Sequence, residues 1–468
     1  MSKLEFDPGS FRDPKSRVLI VNGQVIRSLT KEALADFHFV EEKRFFREAL
    51  REGRLVGTER TNSLDLQSLE IDNSEGLLLH ERIPFVSYPY EWTFHMLKEA
   101  ALLHLDLIRE ALEEGAITKD GSPFNVQWRG TQPTFIDVSS FEPLDEGSPW
   151  AGYRQFCELF LFPLMLQAYK GVAFQPWLRG SLDGVPAQDL HSLMSWTDYF
   201  RKGVLTHVVL HSKLQSRYQH STEDAGSNLK AAGFRKEMII SNVERLSRLV
   251  RRLEPSPPKS GWSEYRERAH YSAEDLAAKD SFVKRAAASA EPSRLVWDLG
   301  CNDGRYSRLV AGEAEYVVAI DADPDVVDRL FEELRAESNQ RIHPLCINLA
   351  DPTPAIGWRN RERKTLEERG RPDLVLCLAL VHHLTITHNV PLSEVVHWIS
   401  SLGARAVVEF PHREDPMVQD LLRRKPPGIH DDYQVGNFRR LLEEQFFVES
   451  TEALPSGTRT LFQLAPKN

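Results

Sequence analysis

The sequence predicts an α/β protein built in two parts: an α+β region over residues 1–255, then a parallel sheet wrapped by helices over residues 256–468, with an antiparallel hairpin added at the sheet edge. Three observations carry that expectation. Beyond residue 258, short β-rich runs alternate with helical segments, the pattern that a parallel sheet covered on both faces produces. Before it, hairpin signals and long amphipathic helices occur without alternation. Between the two, RRLEPSPPKSGWSEY at 251–265 is rich in proline and serine. Proline removes donors and restricts the residue before it, so the stretch reads as a linker with a boundary near residue 258.

In chain order, RVLIVNGQVIRSL predicts a hairpin, because Asn22-Gly23 supplies two residues that tolerate positive φ in a tight turn. ALADFHFVEEKRFFREALREG predicts one helix. FHMLKEAALLHLDLIREALEEG predicts another, with apolar residues at helical spacing and Gly115 as its stop. FNVQWRGTQPTFIDV predicts a second hairpin. Tyr88, Tyr90 and Trp92 in SYPYEWTF are either core aromatics or the lining of an acceptor groove. After the linker the strands are RLVWDLG, YVVAID, IHPLCINL, PDLVLCLAL and ARAVVEF, closed by an antiparallel pair around FFVEST and RTLFQLA. Helices PDVVDRLFEELRAE and PLSEVVHWISSLG lie between them.

Composition narrows the function. The 468 residues are 41% hydrophobic and 27% charged with a formal net charge of -10, which points away from non-specific nucleic-acid binding. Cys157, Cys301, Cys346 and Cys377 have no CxxC spacing, so neither a zinc site nor a disulfide framework is expected, and a reducing cytosol fits. MSKLEFDPGSFRDPKSR lacks the apolar core of a signal peptide, and LFLFPLML at 159–166 is too short and proline-broken to span a bilayer. A cytoplasmic protein without a membrane partner is expected.

The chemistry is concentrated in VWDLGCNDGRYS, residues 296–307. A dinucleotide loop needs G-x-G-x-x-G to hold a pyrophosphate against backbone N–H groups. Counted from Gly300, that template meets Asn302 and Arg305 where it needs glycine, and Asp298 would repel a diphosphate. The same carboxylate suits a cationic ligand such as S-adenosylmethionine, whose ammonium and sulfonium need negative potential. Asn302 adopts the left-handed conformation at low cost, so the turn survives. Asp321 ends the next strand, where a carboxylate can accept both ribose hydroxyls; Asp323, before Pro324, is the better helix cap. Asn348 and Asp351 in NLAD end the third strand, where an amide or carboxylate can meet adenine.

These motifs resemble those of class I S-adenosylmethionine-dependent methyltransferases over residues 263–468: DLGCNDG as the first motif, Asp321 as the ribose acid, NLAD on the third strand, DLVLCLALVHHL on the fourth, and a closing hairpin with LPSGTRTLF. Asn302 departs from a common glycine and Asn348 from a common aspartate. Over nearly the full length, with FRDP, PYEWTFHMLKEAALLHLDL, NVQW, FIDVSSFEP and DPMVQDLL, the chain resembles NoeA-type host-specific nodulation proteins. The resemblance implies a Rossmann-like methyltransferase sheet and transfer of the cofactor methyl to an unidentified acceptor by direct displacement. It also implies that Asp298 holds the methionine ammonium side, Gly300 and Gly304 permit close approach, Asp321 binds ribose, Asn348 or Asp351 binds adenine, and Leu378 lines the cofactor pocket. The alternative is a methyltransferase-like binding protein whose N-terminal half carries the activity or the acceptor recognition.

On the acceptor side His382 and His383 are candidates, since an imidazole near pKa 6.5 can deprotonate a hydroxyl or amine; they can equally line the cofactor pocket, or satisfy backbone groups at a helix start. Glu409 in VVEFP is a further acceptor-side candidate or an ordinary strand-end carboxylate. Tyr433 in HDDYQ is placed either over the site or in an exposed loop, and Tyr271 either at the methionine end or in helix packing.

In the first half, KDGSPFNVQWRGTQPTFIDVSSF carries Asp120, Asn125 and Asp137 with the spacing D-x-x-x-x-N, then a hairpin, then an aspartate. The segment is similar to the catalytic loop of protein-kinase-like phosphotransferases, which implies a kinase-like fold, a base, magnesium ligands and Mg-ATP. No glycine-rich loop and no V-A-I-K lysine precede it, and Asp137 is followed by Val-Ser. The plain alternative is a capped turn and hairpin.

Overall fold

Two residues in the left-handed region open the structure. Asn22 (φ 52°) and Gly23 (φ 83°) turn β2 (Ser16–Val21) back into β3 (Gln24–Leu29), in the register that pairs Val21 with Gln24. The computed structural model describes residues 4–61, 74–209, 235–256, 271–289 and 291–467. The chain divides into two compact units, one of Met1–Trp128, Pro133–Pro257 and Ala355–Arg363, the other of Arg129–Gln132, Pro258–Pro354 and Lys364–Asn468. Within the expected linker, 257–265 lie outside the described residues, and 251–252 end the helix Lys236–Arg252.

In the first unit, β1 (Leu4–Phe6), β2, β3, β4 (Thr58–Arg60) and β5 (Gly76–His80) form an antiparallel sheet in the order β1-β2-β3-β5-β4. The single helix expected over 33–53 is two, Lys31–Glu41 and Arg44–Arg51. The break has a cause: the Glu114 carboxylate accepts the Arg44 and Phe45 N–H groups at 2.9 and 2.8 Å, capping a new N-terminus where negative charge is favoured. The long helix Phe94–Glu113 starts at its Thr93 cap and stops before Gly115, whose φ of 78° suits glycine. Then come β6 (Ala116–Thr118), β7 (Val126–Arg129), β8 (Gln132–Phe135) and β9 (Phe141–Pro143), with β6 paired to β9 and β7 to β8.

In the second unit, β10 (Ser293–Leu299), β11 (Ala314–Asp321), β12 (Ile342–Cys346), β13 (Leu374–Cys377), β14 (Arg405–Pro411), β15 (Phe446–Ala453) and β16 (Arg459–Pro466) form one sheet in the order β12-β11-β10-β13-β14-β16-β15. The first five are parallel, and β16 runs antiparallel to both β14 and β15. This is the expected Rossmann-like parallel sheet with an antiparallel edge hairpin. β10 is buried along nearly its whole length, with Val296, Trp297 and Leu299 at 1% exposure or less, as a central parallel strand covered on both faces requires. From β10 the chain builds outward through β11 and β12, then crosses to β13 and β14 on the other side. That reversal opens a crevice outside the carboxyl ends of the strands, the place where open α/β sheets hold ligands.

Candidate active site

The crevice is a cavity of about 710 Å³, within the range of small-molecule sites. Its floor is the turn after β10. Gly300 (φ 76°) and Asn302 (φ 49°) are both left-handed, and the Gly300 and Cys301 N–H groups bond Ile320 O at 2.8 and 2.9 Å. A Cβ on Gly300 would meet only Leu380 at 3.5 Å, so this glycine is required by its backbone conformation. Gly304 (φ 72°) is required by packing as well: a Cβ there would lie 2.6 Å from Leu330. It supports the loop from behind and is not part of the cavity wall.

Asp321 stands on the wall. Its oxygens accept backbone N–H groups from Asn302 at 3.0 Å and Asp323 at 3.1 Å, with Ala322 N–H a further donor, and the four lone-pair sites of a carboxylate leave acceptor capacity. Burial raises its carboxyl above the ordinary range. Asp323 caps the helix Pro324–Ala336 through Asp325 and Val326, so capping does not consume Asp321. Asn348 is exposed on the wall and turns the loop by accepting Ala350 N–H at 3.0 Å, and Leu378 lines the wall beyond β13. Asp351 is exposed and away from the cavity.

Asp298 departs from its expected contact role. It is 1% exposed, lies behind the wall, and accepts the Ser307 hydroxyl at 2.6 Å; burial pushes its carboxyl up to about 6. It supplies negative potential beneath the floor.

His382 and His383 both reach the cavity, their ring centroids 4.1 Å apart. They open a π-helical turn, His383–Thr387, shortly after Ala379, a non-glycine residue at φ 54°. Such strain and such turns concentrate at functional sites. His382 is 1% exposed and its Nδ1 has no hydrogen-bond partner among the described residues. Burial, then the charges of His383, Arg459 and Lys279, holds its pKa well below the usual value, and His383 is pushed down to about 4, mainly by burial. Both imidazoles are therefore neutral near pH 7.

Glu409 is not a free base. It is fully buried behind the wall and engaged by Lys279 Nζ at 2.6 Å, Tyr271 OH at 2.9 Å and Arg459 at 3.3 Å. Tyr433 neither covers the site nor lies exposed: its ring stacks on Phe410 and its hydroxyl donates to Pro411 O at 2.8 Å. Tyr271 does line the cavity. Sequence reasoning missed Lys279, Tyr306 and Arg459, all on the wall. Lys279 carried a legible signal: it stands in the apolar stripe of Ala273–Ala288 that includes Phe282, Val283 and Ala286, where a charge is out of place.

In the first unit, Tyr88, Tyr90 and Trp92 are core, at 7%, 3% and 0% exposure. Asp137 lies 3.0 Å from the Arg27 guanidinium and accepts the Ser139 hydroxyl at 2.8 Å. Asp120 is pushed up to about 6 by burial first and then by Asp137 and Asp13. Asn125 ends a 3-10 turn, and its carbonyl accepts Ile136 N–H at 2.8 Å. Among the described residues, no helix is long and apolar enough to cross a membrane.

No family model matches the chain. Among solved structures it is similar to the N-methyltransferase NodS from Bradyrhizobium japonicum WM9 (12% identity, TM-score 0.29, 41% of this chain and 97% of that one). It is also similar to magnesium protoporphyrin IX methyltransferase from Synechocystis PCC 6803 with bound SAM (17% identity, TM-score 0.30, 44% and 92%). Among curated proteins it is 34% identical to nodulation protein NoeA of Rhizobium meliloti (strain 1021) over 456 residues, 97% of this chain and 94% of that protein. At that identity over almost the whole of both chains, the chain belongs to the NoeA family.

Proposed function

We propose that the second unit is an S-adenosylmethionine-dependent methyltransferase acting on an acceptor still to be identified. The observation that carries this is Asp321 at the end of β11, facing a cavity at the point where the strand order reverses, with acceptor capacity left on its carboxylate. The bound cofactor would supply an activated methyl group. Asp321 would hold the ribose hydroxyls and Asn348 the adenine edge, while Leu378 and Leu349 offer apolar wall. Neutral His382, with Nδ1 unpartnered, would accept a proton from an acceptor hydroxyl or amine. The rate would rest on positioning of the acceptor against the methyl group.

Asp321→Ala is expected to weaken S-adenosylmethionine binding by about 1–3 kcal/mol, the scale of lost charged hydrogen bonds. Calorimetric titration checks this, and unchanged affinity removes Asp321 from the site. A pH series adds a second test. Asp298 and Asp321 have raised pKa values in the free protein, and a cationic ligand favours their ionised forms. Affinity should therefore rise as pH increases through about 6, with protons released on binding below it. Asp298→Asn should flatten the profile; a wild-type profile flat from pH 5 to 8 contradicts the assignment.

A second reading concerns the first unit, and one observation favours it. Arg27, on the third strand of the β1-β2-β3-β5-β4 sheet, pairs with Asp137, which follows the β7/β8 hairpin. Together with the β6/β9 pairing around Asp120 and Asn125, this supports a kinase-like unit with arginine where a lysine is usual. Among the described residues no three His, Cys, Asp or Glu side chains converge on a metal position. Magnesium held through phosphates needs only one or two carboxylates, and Asp137, Asn125 and Arg27 would hold Mg-ATP. ATP with magnesium should then give a binding heat that Asp137→Ala abolishes. No heat from the wild-type chain sinks this reading.

A further inference from the structure

The cavity wall has two ends of different character. Over β11 and β12 it carries Asp321, Asp323 and Asn348; at the other end it carries Tyr271, Lys279 and Arg459. Lys279 is 2% exposed, and a buried ammonium is costly unless paired. It is paired with fully buried Glu409 at 2.6 Å and donates to the Tyr271 hydroxyl at 3.2 Å. These two acceptors take two of its three N–H groups. Its Nζ also lies 4.7 Å from the ring centroids of both Tyr271 and Tyr306, which fixes the ammonium where it meets the cavity.

The charges behind the wall balance. Arg459 forks onto Asp415 at 2.7 and 3.1 Å and also reaches Glu409, so Lys279 and Arg459 face Glu409 and Asp415. A balanced cluster does not favour a ligand of single net charge, but it accommodates a zwitterion whose carboxylate finds a donor and whose ammonium finds negative potential. Asp298, which lies within electrostatic range of Lys279, supplies that potential. The strand order gives the direction. A ligand with its base over β12 and ribose over β11 extends across β10 towards β13 and β14, and Lys279 is bonded to β14 through Glu409.

We propose that Lys279 is the donor that receives the α-carboxylate of the cofactor's amino-acid end, with Tyr271, Glu409 and Arg459 as the residues that position it. This rests on the methyltransferase reading above. The test is calorimetric titration of the full chain and its Lys279→Met variant with two probes. S-adenosylhomocysteine carries the amino-acid end; 5′-methylthioadenosine keeps base, ribose and thioether but lacks it. Lys279→Met should lose about 10- to 100-fold in affinity for S-adenosylhomocysteine, the worth of a charged hydrogen bond, and keep its affinity for 5′-methylthioadenosine within about twofold. Equal losses for both probes, or none for either, overturn the proposal. Should the single variant not fold, Lys279→Met with Glu409→Gln removes both charges together and must give the same split; loss of both probes there assigns Lys279 a purely structural role. A wild-type chain that binds neither probe overturns the methyltransferase reading itself, whereas intact binding of both with no split in the variant overturns only the role of Lys279.

Discussion

Four buried charges tie the second unit together. Lys279 comes from the helix that enters the unit, Glu409 from β14, Arg459 from β16, and Asp415 from the cap of the helix Pro416–Leu422. Removing one partner of such a set strands an uncompensated charge in low dielectric, at a cost of about 3–5 kcal/mol. Apolar residues could join the same elements at lower desolvation cost, so stability alone does not explain the cluster. Its position does: three of its members or their partners, Lys279, Arg459 and Tyr271, form one end of the ligand cavity. The edge hairpin is thereby connected to the site, because Arg459 opens β16 and reaches across β14 to Glu409.

The opposite end of the cavity is made from backbone geometry. Gly300 and Asn302 turn the chain under the crevice, and the Asn302 N–H holds the Asp321 carboxylate in place. Preorganised donors and acceptors of this kind cost no rearrangement when a ligand arrives. The cavity thus combines a rigid polar end, a charge-balanced end, and an imidazole pair that follows Ala379 and opens a π-helical turn.

Much of this was legible in the sequence because its signals are local. Alternating apolar strands and helices gave the sheet, Asn22-Gly23 the first hairpin, and DLGCNDG with Asp321 the floor and one wall of the cavity. What escaped was long-range. The Glu409 pairings join residues 130 and 50 positions apart, so its sequence position suggested a free strand-end carboxylate. Tyr433 gave no local sign that it would stack on Phe410, and the split of the first predicted helix depends on Glu114, about 70 residues away. Asp298 was found as important but placed wrongly, since sequence does not tell which strand-end carboxylate faces out and which is covered by the next helix through Ser307.

In the proposed complex, one extended nucleoside amino acid lies across the carboxyl ends of β12, β11 and β10. The most direct measurement is a crystal structure of the full chain grown with S-adenosylhomocysteine. Adenine is expected beside Asn348, both ribose hydroxyls on Asp321 and the carboxylate on Lys279. A ligand bound in the reverse direction, or seated away from Asp321, would contradict this placement.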